Sequence, residues 1–264
     1  MMIELTEQPR TSWWTLVRGK PAACGWRLLA VQLVFAVAGA GELRLRVALQ
    51  GDAPRVVLDL ALLVVGSLTA AWSWSAKLRV LDGGRGIPSA LRPDLRRIGR
   101  LGGWLAVLDV FGLLRLFSDI DIDAYVGLVV SPLMNAVRLG YLYLLFAAAL
   151  LPMAILLEGR GIGRAFRLSH GRGLTVLRVL PVVLLSGLVT SVLQQWQIMT
   201  LGTLPEVSSI GLVQVAALLI EVLKDVLVAV LLYAAYRGAE RPQRNETQEV
   251  GLADFSGRLP APEH

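Results

Sequence analysis

Three ionisable side chains, Glu221, Lys224 and Asp225, stand close together inside a long apolar stretch of the sequence. At a spacing of three, Lys224 can pair with Glu221 along a helix, and Asp225, at a spacing of four, falls on roughly the same side. One lysine does not neutralise two carboxylates. The cluster therefore calls for a second partner, Arg115 or Arg138, or for water in a cavity. Asp59, Asp109, Arg115 and Arg138 are the other charges within apolar runs. At mid-bilayer such a group costs roughly 2.5–3.5 kcal/mol on insertion scales, so these residues are expected to pair or to line a polar space. Pairing of Asp59 or Asp109 with Arg115 or Arg138 is the structural reading. For the last-span cluster the functional reading is a polar site for a substrate headgroup or a proton, set against a buried structural ion pair.

Other chemistries lack their residues. His170 and His264 are the only histidines and Cys24 the only cysteine, so neither a multi-histidine nor a cysteine metal site can be built, and no internal disulfide can form. There is no Gly-x-Ser-x-Gly elbow. Ser169 and His170 are sequence neighbours in a basic loop, which does not make a nucleophile and its base. Gly159, Gly161 and Gly163 lack a preceding strand and a Lys-Ser/Thr pair, so they are not a phosphate loop. The expectation is a non-enzymatic protein without metal or cofactor.

The elements that would carry the charged residues are set by composition. The chain is 55% hydrophobic and 17% charged, with mean hydropathy +0.61, and its apolar residues gather in runs. A crossing of the bilayer needs about 20 mainly apolar helical residues, and lipid leaves backbone groups no partner but their own helix. Alternating runs of a membrane β-barrel are absent. The fold class expected is all-α, a polytopic bundle of six transmembrane helices near 28–47, 56–76, 101–118, 136–157, 174–193 and 211–236. Residues 1–27 form a cytoplasmic lead with Trp13, Trp14 and Trp26 among basic residues, a headgroup-level pattern. Residues 126–135, with Pro132, lie in the outer interface or re-enter. Residues 237–264 read as a disordered cytoplasmic tail, in which Asn245-Glu-Thr247 resembles a glycosylation acceptor by chance. Ala38-Gly39-Ala40 resembles a signal-cleavage site, a competing reading of the first run.

Lys and Arg give the orientation. Four precede the first span, seven (Lys77 to Arg100) follow the second, five (Arg160 to Arg178) follow the fourth and four follow the last, twenty on one side against three on the other. The loop with Asp119, Asp121 and Asp123 has no base. Both termini are expected inside, with the inner basic loops against anionic headgroups. The net charge of +6 is therefore topology, not nucleic-acid binding. Only three of the 26 basic residues are lysines, Lys20, Lys77 and Lys224, a bias that with abundant Ala, Leu and Gly points to a GC-rich bacterial genome and an inner-membrane location.

Two inner loops repeat at an offset of 75: Gly84-Arg-Gly-Ile87 with Ala90, Arg92 and Arg97, and Gly159-Arg-Gly-Ile162 with Ala165, Arg167 and Arg172. The repeat predicts two parallel helical hairpins, 56–118 and 136–193. The stretch Leu151-Pro152 through Glu158-Gly159, then Ala165-Phe-Arg-Leu-Ser169 and Arg172, resembles the membrane domain of the glycerophosphoryl diester phosphodiesterase family, and Gly86-Ile-Pro-Ser-Ala90 is similar to that family's connection between second and third spans. The resemblance covers about 80 residues and implies the membrane module alone, because the family's chemistry belongs to a separate soluble barrel. The expected role is a scaffold or accessory module in envelope or transport processes, with a protein partner subunit. A permease subunit for a lipid-like or peptide substrate, and an immunity-type membrane protein, are the alternatives.

Overall fold

The computed structural model describes residues 13–49, 55–83, 86–119, 132–171, 173–201 and 207–256. The expectations for residues 1–12, Asp121 and Asp123, residues 126–131, Arg172 and residues 257–264 lie outside the described residues. Among those described every regular element is a helix: α1 (Trp13–Leu49), α2 (Arg55–Gly83), α3 (Ile87–Ala90), α4 (Leu95–Asp119), α5 (Pro132–Ala148), α6 (Leu151–Leu156), α7 (Ile162–His170), α8 (Gly173–Leu201) and α9 (Val207–Ser256). Three stretches are long and apolar enough to cross a membrane: Leu60–Gly83 in α2, Leu139–Leu156 through α5 and α6, and Gly173–Leu193 in α8. Ala23–Gly39 in α1 is apolar over a shorter run.

Helix ends follow the breakers. Pro152 has no N–H to give, and its ring would meet the carbonyl of residue 148 in a continuous helix. The stretch 136–157 is accordingly divided: α5 stops at Ala148, the Ala149 amide turns back to the Phe146 carbonyl at 3.2 Å, and α6 restarts from the Leu150 carbonyl. Gly159 ends the α6 turn at φ +71°, a conformation that a side chain would strain, and lets the Arg160 amide reach the Ala154 carbonyl at 2.9 Å. At the other termini the helices overrun the expected bounds. α1 begins at Trp13, inside the lead expected to 27, and runs through Gly19, Pro21 and Gly25. α2 continues past 76 to the Gly83-Gly84 pair, which takes Lys77 out of the loop and into the helix. α9 continues through Ser256, so the stretch read as a disordered tail from 237 carries helical backbone as far as that residue.

α2 packs along α4 and α1, and α9 packs along α1 and α8. The α2–α4 seam is close at Gly102, where an added Cβ would stand 2.7 Å from Leu68 Cδ2 and 3.3 Å from Leu68 Cα. Gly102→Ala is expected to lower the thermal unfolding temperature in detergent, by about 1–3 kcal/mol of overpacking. Gly103→Ala, with nothing within 4 Å, serves as the control and should be neutral or stabilising. An unchanged melting curve for Gly102→Ala would show that the seam is looser than described.

Three side-chain contacts bring one set of helix ends together. Lys20 Nζ on α1 donates to the Leu81 carbonyl at the end of α2. Arg97 Nη1 on α4 donates to the Leu156 carbonyl at 2.6 Å, and Tyr236 on α9 bonds Glu158 beyond α6. Two turns follow at Gly86-Ile87 and Gly161-Ile162, with Gly84 and Arg85 outside the described residues. Each turn starts a short helix, α3 at Ile87 and α7 at Ile162, from a glycine in extended conformation, Gly86 or Gly161. Ala90 and Ala165 are fully buried in them. The core gathers at this end, around Leu28, Leu81, Leu101, the whole of α6 and Tyr236. Away from it α8 turns Leu177, Leu184, Leu188 and Val192 outward, an apolar surface suited to lipid.

Candidate functional site

Glu221, Lys224 and Asp225 sit on successive turns of α9 where α1, α2 and α8 converge. Lys224 Nζ bonds the Glu221 carboxylate, lies 3.7 Å from Asp225 Oδ1, and donates to Thr190 Oγ1 on α8 at 2.8 Å. Asp225 Oδ2 accepts from Gln32 Nε2 on α1 at 2.7 Å, and Gln32 Oε1 accepts from Ser73 Oγ on α2 at 3.1 Å. The cluster is thus tied to three neighbouring helices, and Gln32 and Ser73 are buried. Burial is uneven. The Lys224 side chain is 13% exposed, against 37% for Glu221 and 39% for Asp225, so both carboxylates keep an open flank.

The second cation is Lys77. It stands one helical turn from Ser73, is 4% exposed, and lays its ammonium 4.7 Å over the Trp74 ring. Asp225 attracts this ammonium at longer range, with no ion pair between Lys77 and the cluster among the described residues. Gln32 is the partner that the described residues give Asp225; the expectation that Arg115 or Arg138 completes the cluster falls on side chains outside them. The side chains of Asp59, Arg115 and Arg138 lie outside the described residues. Asp109 is held by Ser67 Oγ on α2 at 3.0 Å, a neutral partner for the residue expected to meet an arginine.

Sequence reasoning placed Lys77 in a loop because the apolar run ends at 76. The better signal was the first helix breaker, the Gly83-Gly84 pair. Gln32 carried a second signal, as the polar amide inside the apolar run of the first span.

A second set of polar contacts lies at the basic end, eight residues beyond Asp225, or about 12 Å along a helix. Asp82 accepts from Tyr233 at 2.8 Å and pairs with Arg237. Glu158 takes Arg164 Nε at 2.8 Å and Nη2 at 3.3 Å on its two oxygens, and the Tyr236 hydroxyl at 3.2 Å. Two buried tyrosines of α9 thus bond acids at the ends of α2 and α6. Of the other residues carrying the family resemblance, Ala165 is buried, Ser169 donates to the Ala147 carbonyl at 3.3 Å, and Arg167 is exposed on α7. His170 stacks on Phe166 and bonds its carbonyl through Nδ1. Ser169 and His170 thus make separate contacts. No group of three or more His, Cys, Asp or Glu able to hold a metal is found among the described residues. Cys24 is buried, with its thiol 2.9 Å from the Lys20 carbonyl.

This arrangement can hold charge inside an apolar bundle and join four helices through it. Compared with known proteins, the chain matches no family model, no curated protein and no solved structure.

Proposed function

We propose that the chain is a non-enzymatic, multi-pass protein of a bacterial inner membrane, with six spans and both termini inside, acting as a scaffold or accessory module in envelope or transport processes. The observation that carries this reading is the way Lys224, Asp225 and Gln32 link α9 to α1, α2 and α8 through the apolar interior. Polar contacts of this kind hold helices together where lipid supplies no hydrophobic drive between them. The likeness to the membrane module of the phosphodiesterase family, and the equivalence of the two helical hairpins, belong to the same proposal. The shared geometry of α3 and α7 favours the second.

The test is the double variant Glu221→Gln, Lys224→Met, purified in mild detergent and assayed for complementation of a deletion strain. A scaffold role predicts a lowered melting temperature and loss of complementation together. A second reading, a carrier with its polar site at mid-membrane, is favoured by the open flanks of Glu221 and Asp225. It predicts a variant that folds normally and fails to complement. A variant that folds and complements normally contradicts both.

Orientation has its own test. A phosphatase fusion after residue 264 should be inactive and one at Asp121 active, because of the asymmetry of Lys and Arg. Activity from the C-terminal fusion would overturn the six-span arrangement.

A further inference from the structure

Two cavities open side by side at the basic end, of about 330 and 270 Å³, and both are lined by Arg97. Arg79 and the α4 residues Arg96, Arg97 and Arg100 supply four guanidinium groups to their walls. Three of these are anchored on backbone carbonyls: Arg79 on Arg92, Arg97 on Leu156 at 2.6 Å, and Arg100 on Gly159 at 2.8 Å. Gly161 leaves room for the Arg100 guanidinium, which an added Cβ would meet at 3.1 Å. A guanidinium has five N–H donors, so anchoring leaves donors for a ligand while fixing where they stand.

The acids of the cleft are Asp82 and Asp94. Asp82 is already paired with Arg237 from outside the cleft, and Asp94 lies 3.5 Å from Arg97. Positive charge is therefore left over. Leu78, Ile155, Leu156 and Leu157 contribute the apolar part of a mixed lining.

We propose that this cleft is a binding site for a phosphate-bearing anion, and that the apolar wall suits it to the headgroup of an anionic phospholipid. Preset arginines recognise phosphate through charge-assisted, multidentate bonds, and a leucine-lined wall is of no use to a free ion. This goes beyond a diffuse attraction of basic loops to a charged surface, because it assigns one stoichiometric site. The lipid source rests on the membrane reading above, whereas the phosphate chemistry does not.

The test uses the full chain in mild detergent, titrated in one arm with phosphatidylglycerol against phosphatidylcholine and in the other with inorganic phosphate. Thermal stabilisation and native mass spectrometry are the readouts. Arg96→Glu reverses a cleft charge that carries no carbonyl anchor, and Arg18→Glu makes the same charge change on the exposed surface of α1. Binding of one phosphatidylglycerol, weakened about tenfold or more by Arg96→Glu and little by Arg18→Glu, is the expected result. The same pattern with inorganic phosphate alone supports the site with a free anion as its source. Equal weakening by both variants, or no saturable binding in either arm, overturns the proposal. Should the protein be soluble without detergent, the membrane reading fails and the phosphate arm still decides the site.

Discussion

Lys77→Glu is expected to leave little folded protein after extraction in mild detergent, read as loss of the monodisperse peak in size-exclusion chromatography. The native ammonium is almost fully buried, over Trp74 and within the attraction of Asp225. The substitution sets a third carboxylate against Glu221 and Asp225, with Lys224 as the remaining lysine. A carboxylate buried at this position has no cation of its own to meet, which is costly, and the carboxylates of the cluster add repulsion. Whole domains are stable by only about 5–15 kcal/mol. Lys77→Met keeps the volume and removes one charge, so its loss should be smaller, because Asp225 retains Gln32 and Lys224. The exchange Lys77→Glu with Asp225→Lys should recover part of the peak. Normal yield and melting temperature for Lys77→Glu alone would refute the assignment of Lys77 to the cluster.

The same residue shows how much the sequence discloses. Apolar runs locate helices because backbone groups in apolar surroundings must bond within their own segment; five of the six expected runs fall within single helices and the fourth is divided between α5 and α6. Three stretches are long and apolar enough to cross a membrane. α4 and α9 carry Asp109, Arg115 and the 221–225 cluster, which lowers their apolar content, so their membrane assignment leans on context. Ends were harder to read. Hydropathy falls at residue 76 while the helix continues to Gly83, since a helix stops at a breaker and not where polarity rises.

The partners of the cluster were only half legible. The Glu221–Lys224 pair follows from spacing within one helix. Gln32, Ser73, Lys77 and Thr190 come from three other helices, and which face of each helix turns inward is set by packing. The Glu158-Gly159 pair shows the limit from the other side. Its local role is geometric: a left-handed glycine closes α6 and leaves the glutamate between Arg164 and Tyr236.

That glutamate gives the second large effect. Glu158→Ala is expected to destabilise the protein by about 3–5 kcal/mol, as for other buried pairs that lose one member. The Glu158 and Arg164 side chains are 15% and 14% exposed, and the guanidinium reaches both carboxylate oxygens. Without the acid, the Arg164 guanidinium and the Tyr236 hydroxyl both lose this acceptor. Arg160 is the contrast. It lies 4.0 Å from the same carboxylate but is 63% exposed, so Arg160→Ala should change stability by about 1 kcal/mol at most. A double-mutant cycle of Glu158→Ala with Arg164→Ala, followed by thermal unfolding in detergent, isolates the pair. The double variant should fall well short of the sum of the singles, because removing both charges leaves neither one stranded. Strict additivity would mean that Glu158 and Arg164 act independently, and that the turn after α6 is held by Gly159 and the burial of α6 alone.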